Sequence, residues 1–112
     1  WWRDRDGAAR RLIRATQEFV RRTGDRVAVV LDGRPLPDMP EGVHDGVLVA
    51  YARRGGPNAA DDRIADEVAA DADPGTLTVV TSDRDLQARV EAMGAQVVGA
   101  ARWLSALEAE RP

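Results

Sequence analysis

The chain has 112 residues with 16 basic and 19 acidic side chains, a net charge of −3, no cysteine and few aromatic residues. That length suits one domain (1–112) whose single core buries roughly two thirds of the unfolded surface. The missing cysteine excludes a disulfide framework, a thiolate metal site and a thiol nucleophile, and the acidic balance argues against indiscriminate nucleic-acid binding. No apolar stretch nears the ~20 residues of a membrane span, and no basic start leads into an apolar signal-peptide core, so a cytoplasmic protein with no membrane contact is expected. Every basic residue is arginine, which suits bidentate phosphate contact, and a local basic patch is compatible with the overall acidity.

The first element is a helix from about Asp6 to Arg22. Ala9, Leu12, Ile13, Thr16, Phe19 and Val20 form its apolar stripe, and Arg10, Arg11, Arg14, Gln17, Glu18 and Arg21 are assigned to a solvated opposite side. Asp4 or Asp6 could cap its start and Gly24 fits its end. Val27 to Leu31 is a continuous β-branched and apolar run, as expected of a strand buried on both faces of a parallel sheet. Asp32-Gly33 ends it. The stretch from Arg34 to Gly46, rich in proline and glycine, reads as a long irregular connection of the kind that is often functional. His44 within it, lacking matching histidines or cysteines, reads as a loop residue. A second strand covers Val47 to Tyr51.

Beyond Arg53-Arg54-Gly55-Gly56-Pro57-Asn58, a helix is expected from about Ala60 to Ala72 with Ile64, Ala65 and Val68 on its buried stripe, and Asp73-Pro74-Gly75 stops it. Leu77 to Thr81 is the third strand. Ser82 and Asp85 satisfy the Ser-x-x-acid pattern of a helix start, followed by Leu86, Val90 and Met93 at helical spacing and Gly94 as the stop. Gln96 to Val98 makes a short strand, and Trp103, Leu104 and Leu107 mark a last amphipathic helix. The alternation predicts an α/β domain, a mainly parallel sheet with helices on both faces.

Asp32 and Asp83 follow strands, and Asp61-Asp62 opens a helix. In a parallel sheet these positions share the carboxyl edge, where ligands bind. Singly, each acid has a plain structural reading, since acids are favoured in the first turn of a helix and Asp83 could serve as a cap. Together they form a set of hard oxygen donors suited to magnesium or manganese, a metal that keeps waters for substrate phosphates to replace.

Val29-Val30-Leu31-Asp32-Gly33, Asn58-Ala59-Ala60-Asp61-Asp62-Arg63-Ile64 and Val79-Val80-Thr81-Ser82-Asp83-Arg84-Asp85-Leu86-Gln87, followed by Met93-Gly94-Ala95, resemble in order the YacP-like branch of the NYN domains, within the PIN-like nuclease superfamily. The likeness spans nearly the whole chain. It implies a three-layer α/β/α fold and a metal-dependent endoribonuclease that hydrolyses RNA phosphodiester bonds with Mg²⁺ or Mn²⁺. The residues implied are Asp61, Asp62 and Asp83 as catalytic acids, the same three with Asp32 as metal-site carboxylates, and RNA as partner. Asp85 is a weaker candidate, and where related domains often place a further acid this chain has Gln87 and Ala88. Arg34, Arg53, Arg54, Arg63 and Arg84, close in sequence to the acids, are the candidates for phosphate contact; the bland alternative is surface charge or ion pairing.

The family pattern opens with a strand ending in a motif like Val-Asp-Gly-Tyr/Met-Asn-Val, and these 112 residues contain no such segment. N-terminal truncation is the expectation, with activity belonging to the intact domain. That strand lies between those ending at Asp32 and Asp83, so its loss is expected to leave two backbone edges facing a gap, with poor stability, a rearranged sheet, or homodimerisation by strand exchange. Trp1 and Trp2 are expected to pack on the first helix, the alternative being stacking on an RNA base. A non-catalytic RNA- or protein-binding domain is the competing function. A receiver-type domain is disfavoured by the lack of lysine, and a haloacid-type phosphatase by Asp32-Gly33-Arg34, which supplies no Asp-x-Asp.

Overall fold

The computed structural model describes residues 5–32, 35–52 and 59–110. Their elements run α1 (Arg5–Thr23), β1 (Arg26–Asp32), β2 (Gly42–His44), β3 (Val47–Ala52), α2 (Ala59–Ala70), a 3-10 turn (Pro74–Thr76), β4 (Leu77–Thr81), α3 (Arg84–Ala92), β5 (Gln96–Val98) and α4 (Ala100–Ala109). The five strands form one sheet in the order β2-β3-β1-β4-β5. Only the β2–β3 pair is antiparallel.

β1 is central because its side chains are apolar on both faces. Val27, Val29 and Leu31 enter one core with Leu12 and Ile13 of α1 and Leu104 of α4. Val30, one step out of phase, enters a second core with Ile64 and Val68 of α2 and Leu86 and Val90 of α3. The two-residue period of a strand thus serves two helical layers at once. The result is the three-layer α/β/α arrangement expected of a PIN-like NYN domain.

The expected gap beside β1 is absent. β1 pairs in parallel with β4, from Arg26↔Leu77 to Val30↔Thr81, and on its other side with β3, from Val27↔Val47 to Asp32↔Ala52. Both backbone edges of β1 are therefore satisfied within one chain, and the unpaired edges that motivated the expected strand exchange do not arise.

The connection expected to be irregular contains β2. The turn after it is Asp45-Gly46, with φ values of +50° and +84°, the left-handed pair that a two-residue hairpin requires. A side chain at position 46 would also meet Val20 of α1, since a Cβ there lies 3.1 Å from its Cγ1. Gln17, assigned above to the solvated side of α1, is instead buried and donates from Nε2 to the His44 carbonyl at 3.3 Å. Further along the connection, Arg10 pairs with Asp38 at 2.9 Å, and hydrogen bonding from that guanidinium holds the Asp38 carboxyl below its ordinary range. The Tyr51 hydroxyl donates to the Met39 carbonyl at 2.6 Å; burial raises this phenol above its usual value, which keeps it a donor. Two further differences are local. Met93, placed on the buried stripe of α3 by its spacing, is exposed, and α2 ends at Ala70 rather than Ala72.

At the amino edge, Arg26 donates to Asp71 at 2.6 Å and to the Asp73 carbonyl at 2.7 Å, fastening β1 to the turn that precedes β4. Hydrogen bonding from Arg26 lowers the Asp71 carboxyl. On the other helical layer, α1 and α4 are joined by a polar contact inside their interface. Trp103 Nε1 donates to Thr16 Oγ1 at 2.9 Å, and that hydroxyl donates to the Leu12 carbonyl at 2.7 Å. Thr16 is fully buried, and Phe19 packs edge-on against the Trp103 ring with centroids 5.1 Å apart. Thr16→Val should therefore destabilise the protein by about 1–3 kcal/mol, the cost of stranding a buried donor. In denaturant titrations the Thr16→Val/Trp103→Phe pair should cost less than the sum of its single changes.

Candidate active site

The four parallel strands stand in the order second, first, third, fourth (β3-β1-β4-β5), so the chain reverses its direction of advance across the sheet between β1 and β4. Such a switch point opens a crevice outside the carboxyl ends, the usual place for ligands in open α/β sheets. Asp32 is the last residue of β1. Val30 pairs with Thr81, the last residue of β4, so two residues further along each chain stand Asp32 and Asp83. α2 packs on the sheet and leads through the 3-10 turn into the amino end of β4, so its start, with Asp61 and Asp62 in its first turn, lies toward the carboxyl edge. The topology thus brings all four predicted acids to one edge.

Asp83 is the acid whose side chain is described. It is half-buried at the N-cap of α3. Its Oδ1 accepts from the backbone N–H groups of Asp85 at 2.9 Å and Leu86 at 3.2 Å. Its own N–H donates to Thr81 Oγ1 at 3.1 Å. The capping residue is therefore Asp83 and not Ser82, as the Ser-x-x-acid pattern had suggested. The difference follows from where the strand stops: Thr81 is the last paired residue, and the chain stays extended through Asp83. Among the described residues Oδ2 receives no hydrogen bond, so one carboxylate oxygen is tied to the helix and the other is available to a ligand.

Gln87, at the position where related domains often carry an acid, has a bracing role. Its Nε2 donates to the Thr81 carbonyl at 2.6 Å, fixing α3 to the end of β4. Glu41, which the sequence did not single out, also reaches this edge and accepts from the Tyr51 N–H at 3.2 Å. His44, read from the sequence as a loop residue, is instead the last residue of β2, paired with Val47, and its Nε2 contacts the Pro40 carbonyl.

Arg84 opens α3 beside Asp83 and is exposed. Arg34, Arg53, Arg54, Trp1 and Trp2 lie outside the described residues, and for Asp32, Asp61, Asp62 and Arg63 the backbone alone is described. Among the described residues no three acidic or histidine side chains form a cluster able to hold a metal. The fit to a metal therefore rests on donor chemistry and placement: aspartates at one edge, and on Asp83 an oxygen that receives no hydrogen bond from the described residues. Carboxylate oxygens of that kind suit Mg²⁺ or Mn²⁺.

Among the described residues no helix is long and apolar enough to cross a membrane. The sequence pattern of the YacP-like NYN domain matches residues 3–111. No curated protein and no solved structure matches the chain.

Substitution can separate the Asp83 cap from its remaining carboxylate oxygen. Asp83→Ala should lose about 0.5–2 kcal/mol of stability with the cap, while Asp83→Asn, which retains a capping oxygen, should stay close to the parent in thermal unfolding.

Proposed function

The chain belongs to the YacP-like NYN domain family, and on that premise we propose that it is a metal-dependent endoribonuclease. The family is nuclease-like; the substrate, the metal and the residue roles are the proposal. What supports it is placement: Asp32 and Asp83 stand at the carboxyl ends of neighbouring parallel strands, at the sheet's switch point, and Asp61 and Asp62 lie in the first turn of α2.

Asp61, Asp62 and Asp83, with Asp32, would hold Mg²⁺ or Mn²⁺. When bound, such a metal supplies an activated water and stabilises the departing oxygen of a phosphodiester. The protein's own part is positional. The two N–H groups at the start of α3 fix the Asp83 carboxylate through Oδ1, and Gln87 locks that helix to β4, so the acid is held before any substrate arrives. Arg84, with Arg34, Arg53, Arg54 and Arg63, is proposed to meet the phosphate backbone, guanidinium to phosphodiester oxygen. Neither a histidine base nor a cysteine nucleophile is needed, which suits a chain with one histidine and no cysteine. A cytoplasmic RNA is the proposed substrate.

The second reading is a non-catalytic domain that binds RNA or protein. What favours it is that the Asp83 carboxylate already has a structural use as a helix cap. The two are separated by Asp83→Asn. Cleavage of a labelled RNA with Mn²⁺ should be abolished by EDTA and should fall by more than about 10- to 100-fold in Asp83→Asn, the range that changes to the outer partners of metal ligands already produce. Undiminished cleavage by Asp83→Asn, with stability intact, would refute the assignment.

A further inference from the structure

Between α3 and the start of α4, at the carboxyl end of β5, lies an open groove of about 660 Å³ lined by Arg84, Gln87, Glu91, Val98, Gly99 and Arg102, among others. It adjoins the candidate site through two of these residues. Arg84 follows Asp83 in sequence, and Gln87 donates to the end of β4. Four arginines of α1 and β1, Arg10, Arg11, Arg22 and Arg26, are each matched by a carboxylate, while Arg14 and Arg21 of α1 form no salt bridge among the described residues. Arg84 and Arg102 form no ion pair among the described residues, although the chain as a whole is acidic. Among the lining residues, two guanidinium groups stand against the single carboxylate of Glu91, a net positive charge.

The floor of the groove is bare backbone at its α4 end. Gly99 is the N-cap of α4 and makes no side-chain cap. Its φ of −66° is open to any residue, and a Cβ there would meet only Gln87 Nε2, at 4.0 Å. Neither strain nor crowding therefore requires glycine at this position. What glycine leaves is space and the absence of a negative charge beside Arg102.

Resting on the ribonuclease reading above, we infer that this groove holds the RNA strand beyond the scissile bond, with Arg102 and Arg84 each contacting one backbone phosphate. The chemistry is that of bidentate guanidinium–phosphodiester contact, and it calls for single-stranded RNA of any sequence, because phosphate contacts carry no base information. Arg102 enters the function by this route alone: it lies far in sequence from the acids, and only the β4–β5 pairing brings the start of α4 to their edge.

The test is fluorescence anisotropy of a labelled oligouridylate with the protein in EDTA, so that binding is read apart from cleavage, over a series of salt concentrations. Each phosphate contact on a single strand contributes about 0.7 to the slope of log K against log salt. Arg102→Ala should thus reduce the slope by about 0.7 and weaken binding about fivefold at ~0.1 M salt, and the Arg84→Ala/Arg102→Ala pair should reduce it by about 1.4. Gly99→Asp supplies the missing cap to α4, so its thermal unfolding should be unchanged or higher while its RNA affinity falls. A misfolded variant cannot imitate that opposition. Wild-type affinity and slope in both Arg102→Ala and Gly99→Asp would overturn the groove assignment alone, provided that cleavage still depends on Asp83. Failure of the unaltered protein to bind RNA in low salt would also overturn the groove assignment, while the ribonuclease reading stands or falls with Mn²⁺-dependent cleavage and its loss in Asp83→Asn.

Discussion

The direct pairing of β1 with β4 is the constraint on which the rest of this structure depends. β1 must bury both faces, and it can do so only as an inner strand with hydrogen-bonded neighbours on each side. With β3 on one side and β4 on the other, Val27, Val29 and Leu31 close the core under α1 and α4, while Val30 closes the core under α2 and α3. The same pairing creates the switch point. Because β4 lies beside β1 and not beside β3, the carboxyl ends of β1 and β4 stand side by side, and the backbone positions of Asp32 and Asp83 share that edge.

Asp83 shows how a structural use can leave one side chain open to a chemical one. A helix N-cap and a metal ligand make the same demand, an oriented carboxylate at the end of a strand. A carboxylate has two oxygens and can meet both demands at once. The cap fixes Oδ1 to two backbone N–H groups, and the remaining oxygen is preoriented by that anchoring. The plain reading of Asp83 as a capping residue is therefore correct and compatible with the proposed one.

Much of the fold was legible in the sequence because burial imposes periods that survive without context. The double-faced run of β1, the stripe of α1 and the Gly94 stop after α3 all read directly. The failures have local causes. The Asp45-Gly46 pair, flanked by short strand-forming segments, is a strong hairpin signal, yet the neighbouring prolines made the connection read as irregular and β2 was lost in it. Gln17 was assigned to the solvated side from its polarity, but its amide has the His44 carbonyl as partner, a contact that exists only once the hairpin packs on α1. Ser82 and Asp83 both read as caps because a pattern of residue types cannot tell where strand pairing stops. The acids of the site were visible as strand-end and helix-start residues, whereas Arg102 and Gly99 carry no local mark and depend on the order of the strands.

The central claim is that Asp32, Asp83 and the start of α2 form one divalent-metal site at the carboxyl edge. The most direct measurement is an NMR titration of the isotope-labelled protein with Mn²⁺, in which the paramagnetic ion broadens amide resonances close to it. Selective broadening at Asp32, Asp61, Asp62 and Asp83, with the amides of Gly24 and Asp71 at the opposite edge left sharp, is the predicted result. Broadening centred on the amino edge, or an unchanged spectrum at Mn²⁺ concentrations that support RNA cleavage, would contradict the account.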